Sequence, residues 1–389
     1  MKSEGRRTPA AMPMLDAVIA GYLGVDIAPG FPLSRHPVST ADFFRPGRLI
    51  ETEGLAISLG GAVANTGLAM RKFGLNVELM GCVGTDALGD IVVERFREEG
   101  VTTGIVRKTD SGTAYGIVIA PPGRDRIFFE DSGCNAAFGS DDVDYAIVAR
   151  SRLFHLGYPP LMKKLWNSQG DELVAILRRV RSLGVATSLD MALPDADSPS
   201  GRSDWCRILE NVLPHVDIFM PSLEEIFSML EPNEYAAMLR DSPGEEVQDL
   251  ASQELFDRLA ARILAWGVPV LMIKCGSRGA YLCTGDVSKL NAATKLALHS
   301  ENASHRKWWV SCLPLESGRV RNACGAGDCA VAGFLTSLLK GHSIEDAADY
   351  AMAAGRDSLY GVDALSGLSD WETMSASRAL RSDGRTVVK

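Results

Sequence analysis

The sequence predicts an α/β protein: a doubly wound, mostly parallel sheet covered by helices on both faces. Three observations carry this reading. Short apolar runs of strand length alternate with helical segments over much of the chain. Polar clusters follow several strand ends (Gly24-Val25-Asp26, Asp190, Ser222 to Glu225, Gly276 to Gly279), where doubly wound sheets bind ligands. A glycine-rich turn, Gly325-Ala326-Gly327, runs into the apolar stretch Ala330 to Leu335. The 389 residues, 46% hydrophobic and 23% charged, suit one large α/β domain or two smaller ones.

Asp16 to Gly21 reads as an opening buried strand. The Pro-rich polar stretch Pro29 to Gly54 suggests edge strands outside the main core. Gly60-Gly61-Ala62-Val63-Ala64-Asn65 leads into a helix that stops near Phe73-Gly74, where glycine suits a helix end. Asn76 to Gly84 is a strand and Ile91 to Gly100 a helix. Thr113 to Ala120 and Arg126 to Glu130 form a hairpin joined by Pro121-Pro122-Gly123. Further strands fall at Arg152–Leu156, Val185–Asp190, Ile218–Pro221 and Val270–Cys275, with helices such as Glu172–Leu183 and Leu255–Gly267 between them. The polar stretches 195–204, 231–253 and 286–307 read as surface insertions or mobile loops. Trp308-Trp309 defaults to a core location. One domain spans 15–375, between a disordered tail at 1–14 and a C-terminal tail at 376–389.

Bulk properties exclude several classes. A formal net charge of -9 without a long basic run argues against nucleic-acid binding. The eight cysteines show no C-x-x-C pairing, as expected of reduced thiols in a cytoplasmic protein rather than a disulfide frame or zinc site. No apolar stretch reaches the roughly 18 residues of a membrane span. The first residues lack the apolar core of a signal peptide.

Chemistry concentrates at Asn322-Ala323-Cys324-Gly325-Ala326-Gly327-Asp328. Glycines let backbone N–H groups approach an anion, and a helix N-terminus favours negative charge. A carboxylate there would repel a bound anion. It makes sense if Asp328 takes a proton from a hydroxyl that attacks a phosphoryl group. Gly325-x-Gly327-x-x-Ala330 also fits a dinucleotide-binding pattern, but the segment after it, Ser343 to Ala351, reads as a helix, not the strand that motif requires. A plain helix cap is the third option.

The stretches Gly60 to Ala69 and Gly325 to Asp328 resemble the anchors of the PfkB (ribokinase-like) carbohydrate kinase family. Gly84-x-Asp86-x-x-Gly89, Gly133-Cys134-Asn135 and Lys274-Cys275-Gly276-Ser277-Arg278-Gly279 support the resemblance, which runs from about Val18 to Asp370. It implies a ribokinase-like three-layer fold and an ATP-dependent, Mg²⁺-assisted kinase. A small β lid would come from about 27–55 and 113–129, and in this family the lid often forms a homodimer interface. Asp328 would be the general base, with the N–H groups of Gly325, Ala326 and Gly327 as anion hole.

By the same resemblance Asp26 would bind substrate hydroxyls, or else be a turn acid. Gly60 and Gly61 would let backbone approach the sugar and Asn65 would hydrogen-bond it, with Asn135 at the foot of the lid a further candidate. The alternative for these is a glycine strand-to-helix entry with a locally satisfied Asn65. Glu225 would help place Mg²⁺, or else be an acidic helix start. Lys274, Gly276, Ser277 and Gly279 would line the nucleotide, or else form a β-turn.

Four departures stand out. Gly24 and Ser222 occupy positions where the family has Asn. Asn322-Ala323 replaces Asp-Thr, which argues against K⁺ dependence, although backbone carbonyls could still serve. Asp190-Met191-Ala192-Leu193 lacks the Asn and Arg often found there. The leading reading is a sugar kinase acting on a primary hydroxyl. A nucleoside kinase, including the pseudouridine type, and a non-catalytic sugar- or nucleotide-binding sensor are the alternatives. A nucleoside needs an aromatic wall, for which Tyr22, Tyr115, Phe128 and Phe129 are candidates.

Overall fold

The computed structural model describes residues 14–32, 45–120, 127–298, 303–379 and 385–388. Its first strand is β1 (Leu15–Gly21), apolar and buried along nearly its whole length, as a strand covered on both faces should be. Two antiparallel and parallel groups form around it. The small sheet takes β2 (Gly24–Pro29) and β3 (Leu55–Gly60). The main sheet takes β4 (Val77–Gly84) and β5 (Ile105–Lys108) on one side of β1. β6 (Ala114–Ile119) and β7 (Ile127–Asp131) return to the small sheet. The main sheet then resumes on the other side of β1 with β8 (Ser151–Gly157), β9 (Ala186–Leu189), β10 (Ile218–Phe219) and β11 (Val270–Lys274). All these main-sheet strands are parallel. β12 (Ala280–Thr284), β13 (Lys307–Val310) and β14 (Arg385–Val387) extend it antiparallel. The main sheet thus has ten strands, and the small sheet four in the order β3-β2-β6-β7.

Helices sandwich the main sheet to give three layers. Ala62–Lys72, Ala326–Leu339 and Ile344–Ser358 contribute to one apolar core, and Asp171–Ser182, Trp205–Val212, Leu223–Leu230 and Gln253–Ala265 to the other. Every residue of Ala326–Leu339 from Asp328 onward is buried, as expected of a helix apolar on all sides. Removing the ring of its fully buried Phe334 would cost roughly 3–5 kcal/mol. The strand order reverses between β1 and β8, so a crevice opens at their carboxyl ends. There Gly21 and Gly157 are register partners, and a Cβ on Gly21 would lie 2.4 Å from the Gly157 carbonyl oxygen.

Several expectations change. The helix read from Ile91 starts at Ala87, because Asp86 caps it through Gly89 N at 2.8 Å. The stretch 231–253 is largely helical: Pro232 opens Pro232–Asp241, and buried Val247 anchors Val247–Leu250. Within 286–307, Asp286 caps the helix Val287–Ala293, anchored by buried Leu290. The C-terminal stretch is no plain tail; it carries the end of the helix Trp371–Ala379 and β14, which covers the open edge of β13. Among the described residues the lid strands β2 and β3 flank the Pro-rich stretch, and Asp26 sits inside β2, not in a turn. Trp308 is buried in the core; Trp309 packs on Phe256 and Tyr281 with ring centroids 4.8 and 5.1 Å away. Residues 1–13, part of the expected lid at 33–44 and the turn at Pro121-Pro122-Gly123 lie outside the described residues. Among the described residues no helix is long and apolar enough to cross a membrane.

Candidate active site

Asp328 stands on the first turn of Ala326–Leu339, 2% exposed, so its charge must find partners. Asn65, on the helix Ala62–Lys72, donates from Nδ2 to Oδ2 at 2.9 Å. The Tyr158 hydroxyl lies 2.8 Å from both carboxylate oxygens. Burial, then the charge of Asp190, pushes the Asp328 carboxyl up to about 6, against the pull of Asn65, Tyr158 and Lys274. It is therefore mostly ionised at neutral pH, yet close enough to its titration point to accept a proton.

The turn before it is built on Gly325, whose backbone is left-handed at φ 75°. A Cβ there would meet Ala364 Cβ at 2.3 Å and Asn65 Nδ2 at 3.3 Å, so glycine is required on both counts. Ala326 N reaches Ala323 O only at a long 3.4 Å, and Cys329 N closes on Gly325 O at 2.9 Å. Asn322 spends its amide locally, donating to Val362 O at 3.0 Å and accepting from Cys324 N at 2.9 Å.

Lys274, at the end of β11, donates to Asp190 Oδ1 at 2.6 Å. Burial alone would lower its proton affinity, but the Asp190 and Glu225 carboxylates outweigh it and hold the ammonium above its usual range. A Cβ on Gly327 would lie 3.7 Å from Lys274 Nζ, so this cation borders the glycine turn. Glu225 forms a capping box with Ser222: Ser222 N donates to Glu225 Oε2 at 2.6 Å, and Glu225 N to Ser222 Oγ at 3.3 Å. Burial raises the Glu225 carboxyl to about 7, with Lys274 opposing and Asp190 adding to the shift.

The small sheet supplies the facing wall. Ser58, Asp26, Gly116 and Glu130 are successive register partners across β3, β2, β6 and β7, and so share one face. Gly60 and Gly116 crowd Asp26: a Cβ would lie 2.7 Å or 3.1 Å from its Oδ1. Burial, Glu130 and Asp328 together raise the Asp26 carboxyl to about 6. Partial desolvation raises the carboxyl of Glu130, on the otherwise exposed β7, while the Tyr22 hydroxyl that faces it opposes the shift. Gly61, at φ 88°, would bring a Cβ to 2.5 Å from Tyr22 O. The Tyr22 and Tyr158 rings lie 6.2 Å apart between the two walls.

The pattern of the pfkB family of carbohydrate kinases matches residues 34–359. The chain belongs to this family. It is a carbohydrate kinase, which transfers a phosphoryl group to an alcohol. The kinase is 24% identical over 279 residues to an uncharacterised sugar kinase of Archaeoglobus fulgidus, covering 72% of this chain and 89% of that one. It is 23% identical over 327 residues to a ribokinase of Haemophilus influenzae, covering 83% and 88%. It is 21% identical over 344 residues to a 5-dehydro-2-deoxygluconokinase of Clostridium perfringens, covering 87% and 85%. In fold it is similar to Arabidopsis thaliana ribokinase complexed with ribose and ATP, with a TM-score of 0.68 at 19% identity over 95% of this chain and 100% of that one. Thermotoga maritima ribokinase gives 0.64 at 18% identity, covering 93% and 98%. The ribokinase-like architecture with its small second sheet is thus the fold of this kinase.

The kinase brings Asp26, Gly60, Gly61, Asn65, Lys274, Glu225 and the 325–328 turn around one crevice. Asn135 departs from expectation. Fully buried, it donates from Nδ2 to Leu23 O at 2.8 Å and accepts Leu23 N at 3.3 Å, so its amide clamps backbone and is not spare for a sugar. Gly276 and Gly279 have positive φ in the turn between antiparallel β11 and β12, and a Cβ on Gly279 would lie 2.0 Å from Val310 O. Turn geometry accounts for both glycines, and Ser277 is exposed beside them. Sequence reasoning missed Glu130 and Tyr158. A signal existed for the second: Gly21-Tyr22 and Gly157-Tyr158 are the same dipeptide at the ends of neighbouring parallel strands.

Proposed function

We propose that this kinase phosphorylates a hydroxyl, a primary one, of a small uncharged sugar, using ATP. Asp328 takes the proton as the substrate oxygen bonds to the γ-phosphorus and the bond to ADP breaks. The N–H groups of Gly325, Ala326 and Gly327 receive the phosphoryl oxygens, and Lys274 beside them offsets their charge. The observation that carries this reading is the buried carboxylate of Asp328, set at the glycine-turn helix start and facing Asp26 across the crevice. The small sheet excludes water, so that phosphate goes to the sugar.

The donor set fits Mg²⁺. Asp190, Glu225 and Asp328 gather around a single ammonium, leaving negative charge in excess. Mg²⁺ keeps most of its waters and takes few protein ligands. Glu225 and Asp190 would hold it, and when bound it would screen the transferring phosphates. Asn322 adds no charge, which weighs against a K⁺ requirement.

The Asp26–Gly116–Glu130 row supports a hydroxyl-rich, uncharged substrate. Two carboxylates accept donors from a diol and repel a sugar phosphate or sugar acid. A nucleoside remains the second reading, favoured by the Tyr22–Tyr158 pair as an aromatic wall. ATP consumption with Mg²⁺ across neutral sugars, sugar acids, sugar phosphates and nucleosides tests both. Turnover confined to neutral sugars, lost in Asp328→Asn, is expected. Ligand binding without turnover by any substrate would favour the sensor.

The other face of the small sheet supports a homodimer through the lid. Ile57, Ile27, Ile117 and Phe129 form an apolar row across it, with Ile57 36% and Phe129 49% exposed. Sedimentation of the wild type and of Phe129→Glu reads this directly; a monomeric wild type would end the proposal.

A further inference from the structure

Tyr158 is a bulky residue held in the left-handed region, at φ 66° and ψ 41°. Such a conformation costs of order 1–3 kcal/mol and persists only where its surroundings impose it. Here Gly157 precedes it, Pro159 follows it, and Leu161 N bonds back to Tyr158 O at 3.1 Å. The result places the phenolic oxygen 2.8 Å from both oxygens of Asp328, which share its single proton. Burial, then the charges of Asp328 and Asp190, keep that phenol protonated, so it acts as a donor. With Asn65 on Oδ2 at 2.9 Å, the carboxylate receives two donors, one on Oδ2 and one shared, so Oδ1 is the less satisfied oxygen. One lone pair of Oδ1 is left for an incoming hydroxyl.

We propose that Tyr158 is a positioning residue for Asp328: it fixes the carboxylate's orientation, keeps it ionised, and leaves Oδ1 open to the substrate hydroxyl. The inference rests on Asp328 being the general base. Asp26 in β2, Asp190 after β9, Glu225 at the start of Leu223–Leu230 and Lys274 in β11 also act on this cluster. They are the same with and without the phenol, so a comparison at position 158 isolates its contribution.

The test is the pH profile of kcat/KM in Tyr158→Phe against wild type. Losing a donor to the charged form raises the carboxyl's proton affinity, so the acid limb moves up by about half to one pH unit. The variant then loses roughly two- to fivefold more activity near pH 6 than near pH 8. An equal fractional loss at every pH, or no loss, overturns the proposal. Should the variant fold poorly, 3-fluorotyrosine placed at 158 decides instead. It is a stronger donor, so the limb should move down; an unmoved or rising limb overturns the idea. Asp328→Asn separates the two claims. Turnover retained there removes the base itself, whereas a dead Asp328→Asn with an unmoved Tyr158→Phe profile removes only the role of Tyr158.

Discussion

Lys274 stands beside Gly327, its Nζ 3.7 Å from where a Cβ on that glycine would lie, an ordinary van der Waals contact. The crevice therefore has a cation at the glycine turn. The same ammonium pairs with Asp190 at 2.6 Å.

Replacing Lys274 by Met should lower kcat by about 100-fold or more, because a preorganised positive charge at the phosphoryl group disappears. It should also destabilise the fold by roughly 3–5 kcal/mol, since Asp190 is left buried and unpaired. Lys274→Arg should recover most of the stability. Single-turnover rates and denaturant melts check the two effects separately.

Asp328→Asn should reduce kcat by about 10²–10⁴-fold, the range of a lost general base. The neutral amide no longer bears the cost of charge burial, so the ligand-free melting temperature near pH 8 should not fall. Loss of activity together with collapse of the fold would contradict this.

The pH dependence of stability follows from Asp26. Its carboxyl titrates near 6 when folded, against about 3.9 in an unfolded chain. The folded state thus holds the extra proton between these values. Stability from this group is complete below the unfolded value and is lost as pH rises through 6. The ligand-free melting temperature should therefore fall between about pH 4 and pH 7, and fall less in Asp26→Asn. Equal slopes in the two proteins would refute the assignment.

Gly60→Ala should raise KM about tenfold or more with little change in stability, because its Cβ would come within 2.7 Å of the Asp26 carboxylate and push it from the pocket face. Asn135→Ala should do the reverse. Two buried backbone groups of Leu23 lose their partner, costing roughly 1–3 kcal/mol, while kcat measured in the cold stays near wild type. Thermal melts beside initial rates distinguish the two variants.

The parallel strands and the glycine turn were legible because their signals are local: buried apolar runs, a glycine where φ is positive, an acid on the first helical turn. Asp328, Asn65 and Asp26 could be found through motif spacing. Glu130 could not, since its place on the pocket face depends on strand register across Gly116 and β2, and no single segment encodes that register. Asn135 misled because a polar residue beside a presumed pocket reads alike whether it meets ligand or backbone. The helices within 231–253 were hidden by a polar surface; scattered apolar residues such as Tyr235, Met238 and Val247 anchor them.

Only Tyr22 and Leu23 separate the last residue of β1 from the first of β2. The small sheet is thus no flap on a slack tether but an extension of a strand buried along nearly its whole length. Any hinge there must twist Leu23, whose peptide groups Asn135 grips. The amide proton of Leu23 then becomes a clock: its exchange with solvent times each release of the joint, and sugar and nucleotide together should slow it.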